Sequence, residues 1–350
     1  EMKFKSLGQS GIQVPEICLG TMTFGEQNNQ QEAFEQLNYA LDQGLYFWDT
    51  AEMYPVPPKP ETQGSTEQII GNWIAKHGQR DKLFLASKIA GPSQGGSHIR
   101  DGQTRFIASE IQSALDGSLK RLQTDYIDLY QLHWPQRPTN FFGTLGYNNE
   151  QAHFNHNMTP LVETLEALSA EVKKGRIRHI GLSNETPWGT MKFLQLSKEL
   201  GLEKIVSVQN PYSLLNRTYE IGMSEIAHHE GIGLLAYSPL AFGYLTGKYR
   251  HGARPKAGRI TKFSRFTRYS NPQSDWATEQ YALLAEKHGL SLTQLALAFI
   301  KHQFFVTSTI IGATTMQQLK ENIQAFDVDL SEEVLQGIEA IHRQQPNPAP

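Results

Sequence analysis

The feature that most constrains the fold is a regular alternation of short apolar segments with longer segments of helical periodicity. Eight segments have the nearly continuous apolar character of parallel strands covered on both faces. They are Glu16–Thr21, Leu45–Ala51, Leu83–Ile89, Ile127–His133, His179–Asn184, Val206–Tyr212, Ile232–Pro239 and Ser308–Ala313. Because eight strand-helix units can close on themselves, the sequence predicts an α/β fold, a (β/α)8 TIM barrel, with residues 1–350 as a single domain.

The segments between the strands have apolar stripes at helical spacing, and several have recognisable ends. The clearest are Gln31–Gly44, Ser109–Leu122, Leu161–Gly175, Ser291–His302 and Ser331–Ile341. The last two begin with a serine of N-cap type, although Val334 stands where a capping box would place a glutamate. These segments are predicted to form helices around the barrel.

An open doubly wound sheet is the main rival fold. It usually binds a dinucleotide at a G-x-G-x-x-G turn after its first strand. Here the residues Gly20 to Gly25 read Gly-Thr-Met-Thr-Phe-Gly, with the wrong spacing and bulky side chains. The closed barrel is therefore preferred, and Lys3–Val14, with a turn at Gly8–Gly11, is predicted to be a β-hairpin that closes one barrel mouth.

Two long stretches interrupt the alternation. Pro55–Thr66 is rich in proline, and Pro135–Pro160 is polar and aromatic. Loops of this length in a compact domain are usually functional or disordered. Since both follow predicted strands, they are expected to be long βα loops over the C-terminal face of the barrel.

Composition excludes several classes of protein. The net charge is −3, with both signs interspersed, so no nucleic-acid partner is expected. No apolar run approaches the roughly 20 residues that span a bilayer, so no membrane partner is expected. The single cysteine, Cys18, allows no intramolecular disulfide, which together with the polar N-terminus favours the cytoplasm. No sequence feature indicates the oligomeric state.

Polar side chains stand where several predicted strands end, which is where barrel enzymes carry their chemistry. Asp49 ends the second strand, Tyr54 follows in its loop, Lys88 ends the third and His133 ends the fourth. Carbonyl reduction needs a hydride and a proton for the developing oxyanion. A tyrosine can donate that proton when a lysine stabilises its ionised form, and a histidine can orient the carbonyl. We therefore predict Tyr54 as the acid, Lys88 and Asp49 as its supporting pair, and His133 as the orienting group.

The same residues resemble the Asp–Tyr–Lys–His tetrad of the aldo-keto reductases in order and approximate spacing. Five motifs along nearly the whole chain carry the resemblance: Leu19–Gly25, Trp48–Tyr54, Asp128–His133, Gly181–Asn184 and Ile311–Thr314. The chain is most similar to the bacterial Tas-like branch, which is related to the β-subunits of voltage-gated potassium channels. The resemblance implies an NADPH-dependent reductase of small aldehydes or ketones.

The resemblance also implies a cofactor site. Ser183, Asn184 and Gln209 would hold the nicotinamide carboxamide, Tyr237 would stack on the ring, and Thr21, Met22 and Asp49 would line the ribose. The segment Ser238–Leu245 would wrap the pyrophosphate through Ser238, Pro239, Leu240, Ala241, Phe242 and Gly243. The adenosine end would contact Gly312, Thr314, Gln318, Glu321 and Asn322. Lys248 and Arg259 would meet the 2′-phosphate of NADPH, and Arg265 and Arg268 either extend that basic wall or are solvated.

The substrate itself is not determined by the sequence. Tyr54, His133 and Trp134 are expected to contact it. Its pocket is predicted to be lined by Met22, Met53, Trp134, Phe141, Phe142, Tyr147 and Tyr212. An aromatic pocket of this kind accepts many carbonyl compounds.

Other functions remain open at this point. By its resemblance to channel β-subunits, the chain could be a cofactor-sensing interaction partner with little turnover. Lys88 at a strand end is also the position of a Schiff-base lysine, although a neighbouring Asp49 would keep it protonated and poorly nucleophilic. His153 and His156 lie in a long loop with no evident set of partner ligands, so no metal site is predicted.

Overall fold

A computed structural model describes residues 1–92, 98–152, 158–256, 258 and 268–350. Within these ranges the chain forms ten strands, all of them short. They are β1 (Phe4–Ser6), β2 (Gln13–Pro15), β3 (Ile17–Gly20), β4 (Phe47–Asp49), β5 (Phe84–Ile89), β6 (Ile127–Leu132), β7 (Ile177–Ser183), β8 (Ser207–Pro211), β9 (Gly233–Tyr237) and β10 (Val306–Ile311).

Helices follow the barrel strands and form the outer layer. The described α-helices are α1 (Gln30–Asp42), α2 (Ser65–His77), α3 (Ala108–Leu122), α4 (Asn149–Ala152), α5 (Leu161–Lys173), α6 (Pro187–Leu200), α7 (Met223–Glu230), α8 (Pro272–Lys287), α9 (Leu292–His302), α10 (Met316–Gln324) and α11 (Glu332–Gln344). Short 3-10 turns occur at Arg80–Lys82, Arg100–Gly102, Thr218–Glu220, Ala241–Thr246, Arg250–Gly252 and Ala325–Asp327. None of the helices in the described ranges is both long and apolar enough to cross a membrane.

The predicted closed barrel is confirmed. Strands β3 to β10 pair in parallel, each with its neighbour in the chain, and β10 closes the ring by pairing with β3. Each of the eight predicted strand segments overlaps one of these strands, with ends that differ by at most two residues. The open doubly wound sheet is excluded by the β10–β3 pairing.

The predicted hairpin is formed by β1 and β2, which pair antiparallel with Phe4 opposite Pro15. Its side chains Leu7 and Val14 are fully buried in a cluster with residues at the starts of the barrel strands, such as Phe47 and Phe84. The hairpin therefore closes the N-terminal mouth of the barrel, and only the C-terminal mouth is left for a site.

Two helix starts were predicted from their serine caps, and both are present. Ser291 accepts a hydrogen bond from the Gln294 amide at the start of α9, and Ser331 accepts one from Val334 at the start of α11. The Gln294 side chain reaches back to the Ser291 amide and completes a capping box. Satisfied amides at these ends stabilise helices that pack their apolar stripes on the barrel.

The period of two along a strand determines which side chains fill the barrel. Phe47, Ala86 and Leu129 point inward and pack on the hairpin. Two residues further along the same strands, Asp49, Lys88 and Gln131 must therefore point inward as well, one layer closer to the open mouth. An apolar layer thus supports a polar layer, and the polar layer forms the floor of the site.

Candidate active site

The open mouth of the barrel holds a large cleft. Its volume is about 1170 Å³, which exceeds the range of about 300–1,000 Å³ that is common for a single small ligand. The two long loops predicted to rim this face do so through Val56, Pro58, Phe141 and Phe142. A third long connection, residues 238–271 between β9 and α8, also reaches the cleft along part of its length.

Lys88 is the centre of the polar layer and is fully buried. Its ammonium donates three hydrogen bonds: to Asp49 Oδ2 at 2.6 Å, to the Thr50 carbonyl at 2.9 Å and to the Tyr54 hydroxyl oxygen at 3.1 Å. All three N–H donors of the ammonium are thereby used. The tyrosine ring lies edge-on to the His133 ring, with 5.7 Å between the centroids. The structure thus brings the four predicted side chains together.

Asp49 is held by two amide side chains besides Lys88. Gln131 Nε2 and Gln209 Nε2 donate to its Oδ1 at 3.1 and 3.0 Å, and Gln209 Nε2 also lies 3.0 Å from Gln131 Oε1. Sequence reasoning placed Gln209 at the cofactor and missed Gln131. The signal was present, because Gln131 lies two residues before His133 and so shares its inward face.

The loop that carries Tyr54 is fixed by a buried ion pair that sequence reasoning also missed. The Glu52 carboxylate accepts from the Ala90 amide at 3.0 Å and binds Arg100 in a two-pronged contact, with Nε at 2.7 Å and Nη2 at 3.1 Å. The Glu52 amide donates to the Lys88 carbonyl at 3.0 Å. These contacts tie the Tyr54 loop to the end of β5, and so set where Tyr54 stands relative to Lys88.

Burial and neighbouring charges give the site defined protonation states. Burial disfavours the charge on Lys88, but Asp49 and Tyr54 outweigh it, so the pKa of Lys88 is raised. Burial raises the pKa of Tyr54 above its ordinary value, and the opposing effect of Lys88 offsets this only in part. Burial and then the Lys88 charge hold the pKa of His133 well below its ordinary value. The site therefore presents an ammonium, a protonated phenol and a neutral imidazole.

These states oppose a Schiff-base role for Lys88. An amine that attacks a carbonyl must first lose a proton, and here the pKa of Lys88 is raised rather than lowered. Each of its hydrogens is also directed at a protein oxygen, as described above.

A chain of hydrogen bonds connects the histidine to the strands on the other side of the cleft. Asn184 Nδ2 donates to the His133 carbonyl at 2.9 Å, and the Tyr237 hydroxyl donates to Asn184 Oδ1 at 2.5 Å. Nδ1 of His133 is buried and has no hydrogen-bond partner within the described part of the chain. Trp134 lies beside the His133 ring, with 5.0 Å between centroids, and donates to the Pro92 carbonyl.

Most residues predicted for a cofactor line this one cleft. The lining includes Thr21, Met22, Asp49, Ser183, Asn184, Gln209, Tyr237, Ser238, Pro239, Leu240, Phe242, Gly243, Lys248, Gly312, Thr314, Gln318, Glu321 and Asn322. The exception is Ala241, whose side chain is buried in the core outside the lining. The amides of Ala241 and Gly243 donate to Ser238 and Leu240 within the turn itself. Arg259, Arg265, His153 and His156 lie outside the described residues.

Of the seven residues predicted as apolar lining, five line the cleft and two do not. Met22, Met53, Trp134, Phe141 and Phe142 line the cleft. Tyr212 does not, because its ring is fully buried between Phe299 and Phe305 and its hydroxyl donates to Glu220. The prediction for Tyr147 is also wrong, because its side chain is 62% exposed on the long loop and lies outside the cleft lining.

The start of α9 contributes lining that sequence reasoning did not foresee. Ser291, Thr293 and Gln294 face the same cleft as Lys248. The serine was recognised as a helix cap, but nothing in the sequence showed that this end of α9 would lie over the barrel mouth.

Fold and site together define a class of oxidoreductase, and comparison with known proteins agrees. Residues 16–343 match the model of the aldo/keto reductase family, and the chain belongs to this family. It is 53% identical to "Protein tas" of Escherichia coli strain K12 over 350 residues, covering 100% of both chains, which confirms the similarity to the Tas-like branch.

Two further relatives are more distant. The chain is 34% identical over 336 residues to the "Uncharacterized oxidoreductase YrpG" of Bacillus subtilis strain 168, covering 95% of this chain and 94% of that one. It is 29% identical over 336 residues to the "L-glyceraldehyde 3-phosphate reductase" of E. coli strain K12, covering 93% and 88%.

Proposed function

We propose that this protein reduces aldehyde or ketone carbonyls with NADPH and that Tyr54 donates the proton. The observation that carries the proposal is the hydrogen bond from a buried, fully paired Lys88 to the Tyr54 hydroxyl at the floor of the cleft. The hydroxyl of the half-buried Tyr54, beside a fixed cation and in the cleft lining, is an acid placed where a substrate oxygen can reach it. The oxidoreductase relatives described above support the same reaction class.

The residues around the cleft fit a nicotinamide dinucleotide. The side-chain amides of Asn184 and Gln209 have the hydrogen-bonding character that a carboxamide requires, and Tyr237 offers an aromatic face. The Lys248 ammonium, close to the Gly243 backbone, supplies positive charge for a phosphate. A reduced nicotinamide, when bound, supplies the hydride.

The chain's own residues supply the proton and hold the carbonyl. The neutral His133 donates a hydrogen bond to the substrate oxygen and orients it toward Tyr54. Tyr54 then passes its proton to that oxygen as negative charge develops there. Lys88 stabilises the phenolate that forms, and Asp49 holds Lys88 in position. The aromatic side chains Trp134, Phe141 and Phe142 exclude water from the cleft.

Cofactor titration followed by turnover tests this proposal. We expect purified protein to bind NADPH more tightly than NADH and to oxidise NADPH in the presence of small aldehydes. Lys248→Ala should weaken the binding of NADPH by about 10- to 100-fold, the effect expected for loss of one charge-assisted hydrogen bond. The binding of NADH should weaken much less. Equal losses of affinity for both cofactors would show that Lys248 does not bind the 2′-phosphate. Tight binding without turnover on any carbonyl would support the cofactor-sensing partner instead.

The protonation states predict a flat pH profile. His133 with a lowered pKa is already neutral near pH 6.5, whereas Tyr54 and Lys88, with raised pKa values, keep their protons well into the alkaline range. We therefore expect kcat/KM for aldehyde reduction to be constant from about pH 6 to about pH 9 and to fall only as Tyr54 ionises. A loss of activity with a midpoint near 6.5 on acidification would show that His133 titrates in the working range, contrary to its buried environment.

A further inference from the structure

Arg268 is a cation in the cleft that the mechanism above does not use. Its side chain lines the cleft, and its Nη1 lies 3.5 Å from the Tyr237 hydroxyl, while Nε donates at 2.8 Å to a main-chain oxygen of Pro350, the last residue of the sequence. Among the described residues, Nη2 makes no hydrogen bond to the protein, and the charged or polar side chains that act on Arg268 are Tyr237 and Tyr269, with no acidic side chain among them. Part of the guanidinium therefore remains available to a ligand.

The side chain of Arg268 is held in position by its surroundings. The Gly143 backbone lies against its stem, so that a Cβ built on Gly143 would be 3.7 Å from Arg268 Cγ. The guanidinium carbon also lies 5.3 Å from the centre of the Tyr269 ring. A guanidinium held in this way loses little conformational freedom when it binds an anion through its planar fork.

The neighbours of Arg268 belong to the part of the cleft that holds the tetrad. Tyr237 is hydrogen-bonded to Asn184, which is bonded in turn to the His133 backbone. On the other side, Gly143 follows Phe142, whose ring packs edge-on against Trp134 with 5.7 Å between centroids. Arg268 thus stands between the reducing residues and the aromatic wall. The residues expected at adenosine lie instead on α10 and beside it.

We propose that Arg268 binds an anionic group, a carboxylate or a phosphate, carried by the carbonyl substrate. This inference rests on the reduction proposed above and narrows its substrate class to small aldehydes or ketones with an acidic tail. A phosphate of the cofactor presents the same chemistry, so the experiment must separate the two sources.

A matched pair of aldehydes separates charge from shape. We expect wild-type protein to have a higher kcat/KM for 4-carboxybenzaldehyde than for its neutral analogue 4-formylbenzamide. Arg268→Gln should lower the ratio of the two values by about 10- to 100-fold, as expected for loss of a hydrogen bond between charged groups. Arg268→Lys, which keeps the charge, should retain part of the ratio. The control Arg178→Gln, at the exposed start of β7 on the opposite mouth, should leave the ratio unchanged.

Binding measurements cover the remaining outcomes. Calorimetry on NADP+-saturated protein should show benzoate binding more tightly than benzamide, and Arg268→Gln should abolish the difference. If Arg268→Gln instead weakens NADPH binding and leaves the ratio of the two kcat/KM values unchanged, Arg268 binds a phosphate of the cofactor and the inference is overturned. If wild-type protein reduces neither aldehyde, the proposed reduction fails, and benzoate against benzamide still decides the role of Arg268. If benzoate and benzamide bind the wild-type protein equally well, the proposed anion-binding role of Arg268 is overturned.

Discussion

Tyr54→Phe is expected to lower kcat for aldehyde reduction by about 10²- to 10⁴-fold, the usual contribution of a positioned general acid. The variant keeps the ring that packs beside His133 and removes only the hydroxyl that accepts from Lys88 at 3.1 Å. Since cofactor contacts are unchanged, NADPH affinity measured by fluorescence should match wild type. The loss should therefore appear in kcat rather than in cofactor binding.

The matched control is Tyr147→Phe. This tyrosine is exposed on the loop between β6 and α4 and lies outside the cleft lining, so the same chemical change there should leave kcat unaltered. Wild-type turnover by Tyr54→Phe would mean that another group delivers the proton. A parallel fall in NADPH affinity would mean that the substitution had disturbed the cleft rather than the proton transfer.

The polar floor of the site could be predicted from the sequence because it depends on strands. Strand ends are visible as the ends of apolar runs, and the period of two then assigns each side chain to a face. The same period of two explains why the prediction of Tyr212 as cleft lining was wrong. Gln209 points inward toward Asp49, and Tyr212, three residues later, falls on the opposite face by parity and packs against Phe299 and Phe305.

The loop contacts could not be predicted in this way. Glu52 and Arg100 are 48 residues apart, and no local pattern joins them. Their pairing needs a turn in which Arg100 and Asp101 both take positive φ values of 45° and 55°, a conformation that the sequence does not signal. Arg268 is a similar case, because its orientation depends on Tyr237, at the end of β9, and on Gly143, in the long loop after β6. What the sequence leaves open is therefore concentrated in the long loops that line the cleft.

Lys88→Met is expected to reduce both stability and activity, through one cause. The Lys88–Asp49 pair is almost completely buried, with side chains 0% and 3% exposed. Removing the lysine leaves a carboxylate in the barrel interior without its counter-charge, which typically costs about 3–5 kcal/mol of unfolding free energy. The proton donor also loses the cation that stabilises its ionised form, so kcat should fall as well.

The double variant Asp49→Asn/Lys88→Met separates the two effects. It removes both charges, and the asparagine Oδ1 still accepts from Gln131 and Gln209, so most of the lost stability should return in chemical denaturation. Activity should not return, because Tyr54 still lacks its cation. The matched control Lys174→Met breaks an ion pair on the surface, where the lysine side chain is 54% exposed, and should cost less than about 1 kcal/mol. If the double variant is as unstable as Lys88→Met, lost packing and not the unpaired Asp49 charge destabilises the barrel. If the double variant regains activity, Tyr54 needs no neighbouring cation to act as the acid.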